Sequence, residues 1–232
     1  MLWAALLAQA IAFEPMINEA GSDVRWARMP VTYAINPDNA PDELDEVSTV
    51  DAIVAAFEAW AEVPAAELWF ERLGNTASTT VENDSRNLVY WESDWEWDPN
   101  IVALTSTWST PQGTLLGFDI RINATAEEDG TPRWTADNMD LQNAMTHEVG
   151  HAIGLDHSPD EFMATMFAST ISGERTKRDL HWDDEEGVRY LYSEREDLLT
   201  ALSCSSTGQG WGLAPLLLTM GLFIRRTGKV TR

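Results

Sequence analysis

The segment 147–157, HEVGHAIGLDH, restricts the fold of this chain more than any other part of its sequence. His147 and His151 are four positions apart, so on an α-helix they lie about 40° apart around the axis and project from one side. Gly154 follows the helical pattern and can adopt the left-handed conformation that a chain reversal after a helix requires. The reversal would bring His157 back towards the first two histidines. The segment therefore predicts a helix, a glycine turn and three imidazoles that converge on one point.

Three converging imidazoles are a typical ligand set for one catalytic Zn²⁺ ion. They leave the fourth tetrahedral position open, whereas structural zinc sites fill it with a further side chain. Glu148 directly follows the first histidine, so it can sit beside the metal without binding it and act as the general base. The alternative is an amphipathic helix whose histidines only cap or pack. The spacing favours the metal site, because three of the 4 histidines of the chain fall in this segment.

The rest of the body predicts strands and helices in an order typical of an α+β domain. Val31–Ile35 alternates between two prolines and reads as a strand, and residues 48–62 carry apolar side chains at helical spacing. Further strands are predicted at 67–72, 87–91, 101–107 and 116–123, and further helices at 137–153 and 183–192. We therefore expect a sheet on one side of the site.

The run 138–158, NMDLQNAMTHEVGHAIGLDHS, resembles the active-site helix of the matrixins, a branch of the metzincin zinc metalloproteases. Residues 164–167, ATMF, resemble the matrixin Met-turn, which would place Met166 beneath the zinc site. Met163 is the rival for this position, but Met166 has the better spacing and flanking residues. The resemblance also gives Ser158 a role in supporting the turn, since no histidine remains free to serve as its base.

Weaker similarity to matrixins extends over most of residues 25–192. It implies a metzincin fold: a twisted mixed sheet of about five strands, three helices, and an active-site helix that ends in a glycine turn before the Met-turn. It also implies a zinc endopeptidase whose protein or peptide substrate lies extended along the edge strand near Ala103 and Leu104. Residues 167–180 would then form the specificity pocket.

Two alternative functions stay open beside the endopeptidase. One is another metzincin or a zinc hydrolase with a different substrate. Among the metzincins, the astacins carry a tyrosine where this chain has Phe167, which argues against that sister family. The other is a surface-anchored zinc-binding module. A structural zinc would need Cys or His as its fourth ligand, and the nearby segment contains neither.

The sequence departs from animal matrixins at their second, structural zinc site. Arg121 stands where one of its histidines is expected, and His181 is the one histidine outside the motif. We therefore predict a single zinc ion and interpret His181 as a surface residue. Some carboxylates could bind Ca²⁺, but no EF-hand spacing is present, so the sequence gives little support for calcium.

The charge and cysteine content limit the partners of the chain. The formal net charge is -23, and all 38 acidic residues lie at or before Asp197. Such an acidic body repels nucleic acid, so we expect no nucleic-acid partner. Cys204 is the single cysteine, which excludes a disulfide within the chain. We expect a monomer.

Both ends of the sequence resemble targeting signals. Residues 1–12 end in a small-x-small pattern and predict a signal peptide, the alternative being a buried N-terminal helix. Residues 13–24 form a short N-terminal segment, 25–197 the catalytic domain and 198–232 a C-terminal tail. In the tail, Cys204 precedes an apolar run and two arginines, an order that resembles MYXO-CTERM sorting tails of bacterial surface proteins. A simple membrane anchor is the alternative. We expect a secreted protein that is attached to the cell surface.

Overall fold

The computed structural model describes residues 12–193, so most of the predicted signal peptide and the whole C-terminal tail lie outside the described residues. The described part contains five strands and three α-helices. In chain order these are β1 (Val31–Asn36), α1 (Glu46–Ala61), β2 (Phe70–Asn75), β3 (Leu88–Glu92), β4 (Ala103–Ser109), β5 (Leu115–Asn123), α2 (Leu141–Ala152) and α3 (Trp182–Tyr192). A 3-10 turn at Thr176–Arg178 precedes α3.

The five strands form one mixed sheet in the order β2-β1-β3-β5-β4. The pairs β1–β2, β1–β3 and β3–β5 are parallel, and β4 runs antiparallel to β5 at the edge of the sheet. The predicted α+β fold, with about five strands in a mixed sheet and three helices, is confirmed. None of the helices formed by residues 12–193 has both the length and the apolar character needed to cross a membrane.

The hydrophobic core lies between the sheet and the helices α1 and α2. Ile53, Phe57 and Trp60 are buried along one side of α1, as their spacing in the sequence predicts. The ring of Phe57 stacks on Tyr33 of β1 with 3.8 Å between ring centroids. The indole of Trp60 donates a hydrogen bond of 2.7 Å to the carbonyl oxygen of Thr146 in α2. These contacts fix the helix that carries the first two histidines against the rest of the core.

Three predicted boundaries were wrong by more than two residues: the start of α2 and both ends of β2, which was predicted at 67–72 and spans Phe70–Asn75. Helix α2 begins at Leu141 rather than at 137, because the Asp140 side chain caps it by accepting from the Asn143 backbone N–H. Strand β2 begins at Phe70 rather than at 67, because pairing with β1 starts there, at Val31. Just before it, the Glu67 backbone N–H donates to the Tyr192 carbonyl at the end of α3.

Candidate metal centre

Helix α2 and the turn that follows it bring the three predicted histidines together. The turn is closed by backbone hydrogen bonds of 3.0 Å from Gly154 to His151 and from Leu155 to Gly150. Gly154 has φ +100°, and a Cβ at this position would lie 2.0 Å from the carbonyl oxygen of Val24. Only glycine fits here, because both the backbone conformation and the space exclude a side chain.

The ring nitrogens of the three histidines converge as the sequence predicts. One nitrogen from each of His147, His151 and His157 lies within 4.8 Å of the other two. The Nδ1 atoms of His147 and His151 lie 2.7 and 2.8 Å from the carbonyl oxygens of Thr165 and Leu155. A carbonyl accepts only from a protonated nitrogen, so these contacts fix the tautomer and leave each Nε2 free to bind a metal.

The imidazoles also have the protonation state that a metal requires. Burial lowers the pKa of all three histidines, and the pKa of His147 lies well below its usual value. They are therefore neutral at physiological pH, as metal ligands must be. Three neutral imidazoles from the protein are the ligand set of a catalytic zinc site, so the triad fits zinc.

Glu148 lies beside the histidines and is held by an edge-strand residue that sequence reasoning missed. The carboxylate is buried, with 7% of the residue exposed, and its Oε2 accepts a hydrogen bond of 2.6 Å from the Thr105 hydroxyl of β4. Burial raises the pKa of Glu148 to about 7, although the hydrogen bond from Thr105 acts in the opposite direction. A carboxyl group with such a pKa can both accept and release a proton near neutral pH.

Met166 lies directly beneath α2, in the place expected for the methionine of the Met-turn. It is buried, whereas the rival Met163 is 45% exposed. A Cβ on Gly150 would lie 2.2 Å from the Met166 sulfur and 2.8 Å from the Trp60 ring. Gly150, between the first two histidines, thus allows the methionine to approach the helix. No local pattern in the sequence indicates this packing requirement.

The Met-turn is fixed by two buried aspartates at the start of α3. The Asp184 carboxylate accepts from the backbone N–H groups of Thr165 and Met166 at 2.7 and 3.0 Å. The Ser158 hydroxyl lies 3.1 Å from Asp183 Oδ2, and its backbone N–H donates to the Met166 carbonyl. Ser158 therefore supports the turn. The carbonyl of Thr165 accepts from His147, so this network reaches the first histidine.

The two residues singled out as departures from animal matrixins have structural contacts of their own. The interpretation of His181 as a simple surface residue was wrong, because it is half-buried and forms the N-terminal capping box of α3 with Asp184. The Arg121 guanidinium lies 4.2 Å from the centre of the Trp97 ring and donates to the Ser106 hydroxyl.

A cleft of about 640 Å³ runs past the histidines and Glu148. Residues 100–105 form one wall, and this range includes Ala103 and Leu104, where the substrate backbone is expected. From the predicted specificity segment 167–180, the residues Ala168, Ser169, Thr170 and Lys177 line the cleft. Lys177 is a cleft residue that the sequence analysis did not single out, because no local pattern shows which way a lysine in a loop will turn.

Comparison with known proteins agrees with this geometry. The family model described as Matrixin matches residues 25–193. Metalloendoproteinase 2-MMP from Arabidopsis thaliana is 31% identical over 187 residues, which cover 79% of this chain and 47% of that protein. Neutrophil collagenase from Homo sapiens is 29% identical over 172 residues, 72% of this chain and 33% of that protein. The chain thus spans less than half the length of these relatives.

Proposed function

The chain belongs to the matrixin family, and from this membership we propose that it is a zinc-dependent metalloendopeptidase that hydrolyses peptide bonds of extended protein substrates. The observation that carries the proposal is the convergence of three neutral imidazoles next to a buried carboxylate inside an open cleft. A binding module has no need of an ionisable group held in this way beside its metal.

The residues of the site divide the catalytic work between them. His147, His151 and His157 would hold the zinc ion, the first two through the Nε2 atoms that their backbone contacts leave free. When bound, zinc acts as a Lewis acid that polarises the peptide carbonyl and makes a water molecule more acidic. Glu148 accepts the proton of the attacking water and then donates it to the leaving nitrogen. Thr105 keeps the carboxylate turned towards the cleft through its hydroxyl.

The edge strand β4 offers a surface on which an extended peptide can bind. Within residues 12–193, β4 is paired with β5 on one side only. Its free backbone N–H and C=O groups can therefore pair with a substrate chain, which contributes affinity with little sequence selectivity. Ala103 and Leu104 lie in the wall of the cleft, so the pairing would hold the substrate backbone beside Glu148.

The proposal is tested with the full chain after zinc loading, on casein and on a library of quenched fluorescent peptides. We expect internal cleavage that a chelator stops, and that Glu148→Ala abolishes while one zinc ion per chain is retained. Glu128→Ala, a change of the same type at an exposed position, is the matched control and should leave cleavage unchanged. The proposal fails if the zinc-loaded parent cleaves neither casein nor any peptide of the library.

We further propose one zinc ion and no specific calcium site per chain, a monomeric state, and secretion followed by attachment to the cell surface through the C-terminal tail. The apolar start of the sequence and the order of cysteine, apolar run and arginines after Cys204 support this location. Mass spectrometry of the mature protein tests it. Cleavage near residue 12 and processing near Cys204 are expected, and a mature chain that ends intact at Arg232 would contradict the sorting tail.

A further inference from the structure

Lys177 places a buried positive charge in the wall of the cleft. The residue is 3% exposed, yet it lines the same cavity as His147 and Glu148. Its ammonium group donates to the backbone carbonyl oxygens of Phe167 and, at 2.8 Å, Ser169. No carboxylate oxygen of residues 12–193 lies within 4.0 Å of it. The charge therefore has two dipolar partners and no carboxylate in direct contact, although Glu174, Asp184 and Glu148 attract it from beyond 4.0 Å.

The position of this charge is fixed relative to the histidines. The Lys177 backbone N–H donates a hydrogen bond of 2.8 Å to the Asn143 side chain, which lies on α2 one turn before His147. The two carbonyls that accept from the ammonium belong to Phe167, the last residue of the Met-turn, and to Ser169 in the loop that follows it. The lysine thus joins this segment to the active-site helix.

An ammonium group has three hydrogens, and the described protein groups accept two of the hydrogen bonds that Lys177 can donate. A buried cation is costly unless an opposite charge compensates it. Met139, Ala144 and Ala168 give the nearby cleft an apolar lining, which strengthens any electrostatic contact made there. A ligand that brings a carboxylate into this part of the cleft would supply an ionic partner in direct contact with the ammonium group.

We propose that Lys177 selects substrates that carry a carboxylate side chain, Glu or Asp, next to the scissile bond. This inference rests on the proposed endopeptidase function and specifies its substrate class. A neutral side chain of the same shape, such as Gln, would leave the buried charge without an ionic partner in direct contact. A hydrogen bond between charged partners favours the acidic substrate by roughly tenfold or more over its amide analogue.

The acidic surface of the protein acts against this preference only at long range. The net charge of -23 repels any acidic peptide during its approach. At 0.15 M salt, charges that are separated by more than about 8 Å through solvent are largely screened, whereas a buried contact is screened much less. Measuring the preference in parent and variant at this salt concentration separates the contact with Lys177 from the general repulsion.

The experiment uses the zinc-loaded full chain and three quenched fluorescent peptides that differ at one residue flanking the scissile bond: Glu, Gln or Leu. One set of three peptides varies the residue before the scissile bond, and a second set varies the residue after it. We expect the parent to cleave the Glu peptide with a kcat/KM roughly tenfold or more above that for Gln. Lys177→Met should reduce this ratio to about one; because both peptides are compared on the same variant, a general loss of activity does not change the ratio. Arg86→Met removes an equal charge from a side chain that is 78% exposed and should leave the ratio unchanged.

A binding measurement keeps the inference testable if Lys177→Met does not fold. Zinc-loaded Glu148→Ala should bind the Glu peptide roughly tenfold more tightly than the Gln peptide in calorimetric titration. The inference is overturned if the parent cleaves the Gln or Leu peptide with a kcat/KM equal to that for the Glu peptide. It is also overturned if the ratio of kcat/KM for Glu over Gln is unchanged in Lys177→Met. In those cases the endopeptidase function still stands. Absence of any cleavage, together with equal binding of the Glu and Gln peptides, would contradict both.

Discussion

Thr105→Val is the sharpest test of how the catalytic carboxylate is positioned. The substitution keeps the shape of the side chain and removes the hydroxyl that donates to Glu148 Oε2 at 2.6 Å. A hydrogen bond to a charged group contributes about 1.5–3 kcal/mol. Since each 1.36 kcal/mol changes a rate tenfold, we expect kcat/KM to fall about 10- to 100-fold.

The pH dependence gives a second readout with a definite sign. The hydrogen bond from Thr105 lowers the pKa of Glu148, which burial has raised to about 7. Without the donor this pKa rises further, so the acidic limb of the kcat/KM profile should move to higher pH. The measurement is kcat/KM against pH on one peptide for the parent, Thr105→Val and Thr105→Ser, where Ser should restore most of the activity.

Thr107 provides a matched control on the same strand and the same side of the sheet. The Thr107 hydroxyl contacts only the Met16 sulfur, at 3.5 Å, among the described residues. Thr107→Val should therefore leave both the rate and the profile near those of the parent. Equal losses in Thr105→Val and Thr107→Val, or an acidic limb that stays in place, would refute the positioning role.

Three further predictions concern stability. Gly150→Ala would stabilise an ordinary helix interior. Here the new Cβ would lie 2.2 Å from the Met166 sulfur, so we expect thermal unfolding to show a loss of about 1–3 kcal/mol in stability. A higher Tm would contradict the packing. Asp119 is buried, and burial raises its pKa to about 7, so its contribution to stability is complete below about pH 4 and is lost as the pH rises through 7. In urea unfolding between pH 5 and 8, the free energy of unfolding of Asp119→Asn relative to that of the parent should therefore increase with pH. Removal of zinc by a chelator should lower Tm, and readdition should restore it, because the metal binds only the folded site; an unchanged Tm would count against the site.

The sequence predicted the parts of the site that depend on local spacing. The positions of His147 and His151 on a helix, and the glycine turn before His157, follow from residues that are close in the chain. The fold class was predictable for the same reason, because strand and helix periodicities are local. The start of β2 was not predictable from the sequence, since the apolar residues at 68 and 70 are compatible with a strand that begins at 67 or at 70. Pairing with β1 decides between these two starts.

The features that the sequence did not predict all depend on contacts between distant segments. Thr105 meets Glu148 across 43 positions of the chain, and Gly150 must be glycine only because Met166 and Trp60 approach it. The ammonium group of Lys177 is held by the carbonyls of Phe167, at the end of the Met-turn, and of Ser169. No periodicity in the sequence reports such approaches, so they emerge only from the packed structure.

The contact between Thr105 and Glu148 also links substrate binding to catalysis. Thr105 belongs to β4, the strand along which we place the substrate, and it also holds the carboxylate that moves the proton. A small shift of β4 would therefore disturb both the pairing with the substrate and the orientation of the Glu148 carboxylate. Loss of affinity and loss of turnover should then occur together in variants that move this strand. Thr105→Val, which leaves the backbone of β4 unchanged, should lower kcat with little change in KM.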